Sequence, residues 1–310
     1  MDVNVLKQYM DNYCALYNGD SCEVVKMFDE NSMDLMIFSP PFSSLYTYSN
    51  SDRDLGNSRN DEEFYQHFSF LAEDLYRILK PGRIMAVHCM NIPAMKERDG
   101  YIGLKDFRGD LIRLFQKCGF IYHSEVCIWK NPVTEMQRTK SIGLLHKQIK
   151  KDSCMCRMGI PDYVVFMRKP GENVERVTHT NETYPVDLWQ NVASPIWEEY
   201  NTPTWWDINQ SDTLNARMAK DDESERHICP LQLPVIERVI GLYSNEGEVV
   251  FTPFLGIGSE VYQAVKMKRK GIGIELKTSY FDCAVENIKN AEHDAETPTL
   301  FDYFGMTGGE

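Results

Sequence analysis

No apolar run in this chain of 310 residues approaches the roughly 18 uninterrupted residues of a membrane span. The start, Met1-Asp2-Val3-Asn4, lacks the basic stretch and apolar core of a secretory leader. Both absences predict a soluble cytoplasmic protein with no membrane partner. Paired cysteine spacing is missing as well. Of the nine cysteines only Cys154 and Cys156 stand close together, and a zinc site needs a second such pair. The expectation is reduced, mostly buried thiols and no metal. Positive charge is scarce: a net charge of -13 excludes a general polyanion binder. There are no internal repeats and no long low-complexity tracts.

What is present is ordinary globular composition, 43% hydrophobic and 25% charged, which excludes wholesale disorder. The length suits two domains, or one large α/β domain with an insertion. Residues 31–39 end in a continuous apolar run typical of a buried strand, stopped by Pro40-Pro41. Phe64, Phe68, Leu71, Leu75 and Ile78 recur at helical spacing over 62–79, and Lys80-Pro81-Gly82 ends that helix. Strands are predicted at 83–89, 120–129, 162–167, 249–253 and 271–276. Helices are predicted at 109–118, 230–243, 259–268 and 280–291. The alternation is that of an α/β sheet. Between Pro170 and Arg226 the chain turns polar and carries Trp189, Trp197, Trp205 and Trp206, read as an insert with a small hydrophobic cluster. Residues 292–310 form an acidic tail, in which Leu300-Phe301-Asp302-Tyr303-Phe304 reads as a mobile or back-packed end rather than a docking peptide.

One stretch departs from the acidic background. Lys130, Arg138, Lys140, Lys147, Lys150, Lys151 and Arg157 face only Glu135 and Asp152. It reads either as a solvated basic loop or as a phosphate-contacting segment. His88 and His123 lie in or beside strands and read as packed or solvent-facing. Two further constellations carry chemistry. After the strand ending at Pro253, the turn Phe254-Leu255-Gly256-Ile257-Gly258 leads into a helix, and glycines there let the backbone approach a nucleotide-like ligand. Glu275 ends the next strand 17 positions after Gly258, near the ~20 of an acid that takes ribose hydroxyls. The third glycine of a dinucleotide fingerprint is absent, which points to a ligand without a pyrophosphate. In the second constellation a buried strand delivers Ser39-Pro40-Pro41-Phe42 at its carboxyl end, where open α/β sheets place their sites.

Together these segments resemble the amino-group DNA methyltransferases, which methylate cytosine N4 or adenine N6 using S-adenosylmethionine. Ser39-Pro40-Pro41-Phe42 is similar to their catalytic motif, and Phe254-Leu255-Gly256-Ile257-Gly258 to their cofactor motif. His227-Ile228-Cys229-Pro230-Leu231-Gln232 resembles the segment that cradles the cofactor, and Gly19-Asp20 the acid near its adenine. Thr252 and Glu260 depart from the family's usual residues beside the cofactor turn. The matches keep their order from Tyr17 to Ile288, with the catalytic motif first, as in the permuted β arrangement. The resemblance implies a Rossmann-like methyltransferase fold with a mostly parallel seven-stranded sheet. Its parts would be a catalytic half (1–169), a target-recognition insert (170–226), a cofactor half (227–291) and the tail. It implies Ser39, Pro40, Pro41 and Phe42 as catalytic residues. Asp20, Ser39, His227, Pro230, Gln232, Pro253, Phe254, Gly256, Gly258 and Glu275 would hold S-adenosyl-L-methionine. The expected substrate is double-stranded DNA in a bacterial or phage setting, with cytosine N4 ahead of adenine N6. The family setting leaves room for a cognate restriction nuclease and a homodimer. Two rival readings keep the fold: an RNA or small-molecule methyltransferase, and a regulator that binds cofactor without catalysis.

Overall fold

The structure is a computed structural model describing residues 3–42, 54–94, 96–139, 146–155, 160–182, 184–187, 204–214 and 230–296. For 136–139, 147–149, 155 and 292–296 only the backbone is described. The amino-terminal half runs β1 (Val5–Met10), β2 (Cys14–Gly19), α1 (Ser21–Val24), β3 (Met33–Phe38), α2 (Asp61–Ile78), β4 (Leu79–Met90), β5 (Ile92–Ala94), α3 (Lys96–Asp99), β6 (Gly103–Lys105) and α4 (Phe107–Lys117). It continues through β7 (Ile121–Ile128), α5 (Pro132–Thr139), α6 (His146–Lys151), β8 (Asp162–Arg168) and β9 (Thr204–Trp205). The rest is α7 (Leu233–Tyr243), β10 (Val249–Thr252), α8 (Ser259–Lys266), β11 (Lys270–Glu275) and α9 (Thr278–Glu296).

Nine strands join in the order β1-β2-β11-β10-β3-β4-β8-β7-β9. The seven from β2 to β7 form the expected sheet; β1 and the two-residue β9 extend its edges. The strands from β2 to β4 are mutually parallel, whereas β8 runs antiparallel to both β4 and β7. That reversal brings the start of β8 and the end of β7 to the rim where β3 and β4 finish. Thr204 and Trp205, in the predicted insert, pair with β7, and Trp205 is buried in the same core cluster as Val235 and Ile236 of α7. Trp189 and Trp197 lie outside the described residues.

Strand period and helix period together build a core on each face. Met36, Phe38, Met85 and Val87 point to one face, beneath Phe64, Phe68, Leu71 and Leu75 of α2. Leu35, Ile37, Ile84 and Ala86 point to the other, beneath Val235, Ile236, Val239 and Ile240 of α7. Each fully buried side chain of this size contributes about 1.5–3 kcal/mol. Helix α2 starts where Asn60 accepts a hydrogen bond from the Glu63 N–H, and it ends as the chain enters β4 directly at Leu79. At the amino ends of the strands, buried Asp34 accepts from Lys80, Arg83 and the Val249 N–H, tying β3, β4 and β10 together.

Candidate active site

The chain order of the sheet reverses between β10 and β3, and a pocket opens above the carboxyl ends of these strands. Ser39, Pro40, Pro41 and Phe42 form one wall, directly after β3. Pro253, Phe254, Leu255 and Gly256 form another, directly after β10. Asp20, Pro230, Gln232, Glu260 and Glu275 line the rest with their neighbours. Residues predicted from distant segments therefore meet in one cavity.

Each is held by local chemistry. The Asp20 carboxylate accepts from the Cys22 N–H and caps α1. Ser21 Oγ donates to the Pro253 carbonyl at 2.5 Å, pinning α1 to the turn after β10. Both Glu275 oxygens accept a backbone N–H, from Gly256 and Lys277, each at 2.8 Å. Burial nevertheless raises the Glu275 carboxyl to about 7. Glu260, 4% exposed in the first turn of α8, is pushed up by burial to about 8. The Gln232 Oε1 is buried without a hydrogen-bond partner.

The two glycines of the turn separate. Gly256 has φ +55° and a Cβ there would meet nothing within 4 Å. Gly258 has φ +95° and does not line the pocket; its Cβ would press on Ala284 of α9 at 3.1 Å. Glycine at 258 meets the demands of a left-handed backbone and of close packing on α9. Thr252 is fully buried in β10, behind the turn.

A polar chain crosses the wall that carries Ser39. Ser39 Oγ lies 2.7 Å from His88 Nδ1, and His88 Nε2 lies 2.9 Å from Asp162 Oδ2. Lys130 Nζ is 2.5 Å from the same Asp162 oxygen. The cause is strand parity. Ser39 follows Leu35 and Ile37 on one face; His88 follows Ile84 and Ala86; Asp162 precedes Val164 and Phe166; Lys130 follows Val126 and Ile128. All four lie on that face near the same rim, with Met90 one step beyond His88 and opposite Asp162. Burial opposes charge on Asp162, but Lys130 and the His88 hydrogen bond outweigh it and hold the carboxyl at about 2. Phe42 stands edge-on to His88 at 6.5 Å and tilts against Phe107.

Two sequence expectations change here. Lys130 is 7% exposed and paired inside the pocket, so it does not track phosphates. His88 is buried as a packed histidine, yet it lines the site. His123 is exposed. Among the other basic residues, Lys150 and Lys151 are exposed on α6. Arg138 and Lys147 lie on α5 and α6 with side chains not described; His227, Lys140 and Arg157 lie outside the described residues. Asp162 carried no sequence signal of its own, because its place depends on β8 running antiparallel.

The chain is 40% identical over 304 residues to the Type II methyltransferase M.ScaI of Streptomyces caespitosus, covering 94% of this chain and 85% of that protein. It is 23% identical over 278 residues to the Type II methyltransferase M.HpaI of Haemophilus parainfluenzae, covering 87% and 72%. The fold matches a DNA modification methylase of Thermus thermophilus, TTHA0409, complexed with S-adenosyl-L-methionine, with TM-score 0.64, 20% identity and coverage of 90% and 96%. It also matches PvuII DNA methyltransferase (cytosine-N4-specific), with TM-score 0.61, 18% identity and coverage of 94% and 96%. The DNA methylase family profile for N6 and N4 enzymes spans residues 33–286, from the start of β3 into α9. The chain belongs to this S-adenosyl-L-methionine-dependent DNA methylase family.

Proposed function

We propose that this protein transfers a methyl group from S-adenosyl-L-methionine to an exocyclic amino group of a base flipped out of double-stranded DNA, with cytosine N4 as the favoured target. The observation that carries the reading is the meeting of Ser39-Pro40-Pro41-Phe42 with the Gly256 turn and Glu275 in one pocket. The cofactor fits the residues present. The side of Gly256 that a Cβ would occupy is open, Gln232 offers a buried acceptor without a partner, and Glu275 keeps lone pairs for ribose hydroxyls. Asp20, Pro230, Pro253 and Phe254 complete the cradle, with Asp20 at the adenine; His227 is assigned by motif alone. When bound, the cofactor supplies an electrophilic methyl group on a positively charged sulfur.

The chain's own residues do the rest. An exocyclic amine conjugated into its ring is a poor nucleophile. Acceptors at Ser39 Oγ and the Pro40 carbonyl hold its N–H groups and free the lone pair, and Pro41 fixes the direction of that carbonyl. Phe42 stacks on the base and offsets part of the unstacking cost. Holding base and methyl donor in one cavity supplies proximity, so no covalent enzyme intermediate is needed. The segment 170–226 reads the target sequence, and the exposed lysines of α6 contact phosphates. Cytosine is favoured because Ser leads the motif, as the resemblance associates with N4 enzymes. The test is mass spectrometry of digested DNA after reaction. N4-methylcytosine is expected, and N6-methyladenine alone would reassign the base.

A further inference from the structure

We propose that His88 is a positioning residue that makes the Ser39 hydroxyl an acceptor for the substrate amine and takes up the proton which that amine gives up. This rests on the proposed function. The geometry assigns the tautomer. Nε2 faces a carboxylate at 2.9 Å, and Asp162 is ionised because Lys130 pairs with it at 2.5 Å. A carboxylate only accepts, so Nε2 carries the proton and Nδ1 is left with a lone pair. Ser39 Oγ, 2.7 Å from Nδ1, therefore donates its one proton to His88. Both lone pairs of Ser39 remain for the pocket, where the amine would sit.

The proton balance needs such a partner. Methylation forms an N–C bond while the methyl–sulfur bond breaks, and the sulfur keeps that electron pair. The nitrogen then carries one proton too many. It passes to Ser39 Oγ as the Ser39 proton passes to Nδ1. The resulting imidazolium is met by the Asp162 carboxylate, and it loses its proton to solvent when product leaves. A serine alone is too weak a base for this. The charged groups facing the relay are Asp162 on β8, Lys130 after β7 and, 3.8 Å beyond Lys130, Glu135 on α5; Glu260 of α8 lines the same pocket. Ser39 and Phe42 are its neighbours on the pocket side.

The test combines rates with a readout that needs no turnover. In single-turnover transfer to unmethylated DNA, His88→Ala is expected to be at least about 100-fold slower, with cofactor affinity within about twofold. Imidazole in the buffer should restore part of the variant's rate. Nitrogen NMR of histidine-labelled protein, with His88→Gln to identify the signals, should show protonated Nε2 and unprotonated Nδ1. Where His88→Ala does not fold, Asp162→Asn carries the rate test, slowed at least about tenfold, with the nitrogen signals moved off that tautomer. A proton on Nδ1, or an active His88→Ala within about threefold of wild type, overturns the inference alone. A wild type that binds cofactor and methylates no DNA overturns the proposed function and this inference with it.

Discussion

The two glycines of the turn after β10 answer to different constraints, and substitution separates them. A methyl at Gly256 would enter open pocket space, whereas one at Gly258 would meet Ala284. Gly256→Ala is expected to weaken S-adenosyl-L-methionine binding by about tenfold or more in calorimetry, with only the ~1 kcal/mol strain of a positive φ in stability. Gly258→Ala should cost about 1–3 kcal/mol in melting experiments and leave affinity in the folded fraction nearly unchanged. Glu260 gives a second prediction at this scale. Its carboxyl is raised from 4.5 to about 8 by burial. A carboxyl with a raised folded value binds protons more tightly when folded, so its contribution is full below about 4.5 and lost as pH rises towards 8. Melting temperature of the cofactor-free protein should therefore fall across that window. Glu260→Gln should flatten the slope, and an unchanged slope in that variant would show that Glu260 is not the group responsible.

Among the elements, β3 was legible as a continuous apolar run stopped by Pro40-Pro41, and α2 and α7 because their apolar residues recur at helical spacing. The motifs sat at strand ends, so their meeting in one pocket followed once the strands were ordered. The role of His88 was hidden for a physical reason. In sequence it is one polar residue near the end of an apolar strand, and its partner Asp162 lies 74 positions away. Only the reversed direction of β8 brings the two together. The parity signal was present, since Ser39, His88, Asp162 and Lys130 each share the parity of the buried apolar residues beside them, but it has meaning only when strand order and direction are known. The same reversal divides the basic segment. Lys130 turns inward at the end of β7, while Lys150 and Lys151 face solvent on α6. Neutralising Lys150 or Lys151 to Gln should reduce the salt dependence of DNA affinity by about 1 in slope for each charge lost. Lys130→Met should instead leave the slope intact and destabilise the protein by about 3–5 kcal/mol, because Asp162 loses its buried counter-charge. Equal salt slopes for the α6 variants and wild type would return that helix to ordinary surface.

For the molecule as a whole, one sheet joins the proposed cofactor cradle on β10 and β11 to the proposed base-handling wall on β3, β4 and β8. The two halves share buried Asp34, which bridges β4 and β10 across β3 at the amino end of the sheet, opposite the pocket. Arg83, 2% exposed, would keep Glu248 as its remaining carboxylate partner, while Lys80 and the Val249 N–H would lose theirs on Asp34. Asp34→Ala is expected to cost about 3–5 kcal/mol in denaturant unfolding. An effect below about 1 kcal/mol would mean that the network contributes little to joining the halves. The account's central claim is methyl transfer to an exocyclic amine through the Ser39 wall. Its most direct test is mass spectrometry of nucleosides from DNA incubated with S-adenosyl-L-methionine and either the wild-type protein or Ser39→Ala. The account predicts N4-methylcytosine with the wild type and at least about 100-fold less with Ser39→Ala at unchanged cofactor affinity. No methylated amino group in wild-type product, or equal methylation by Ser39→Ala, would contradict it.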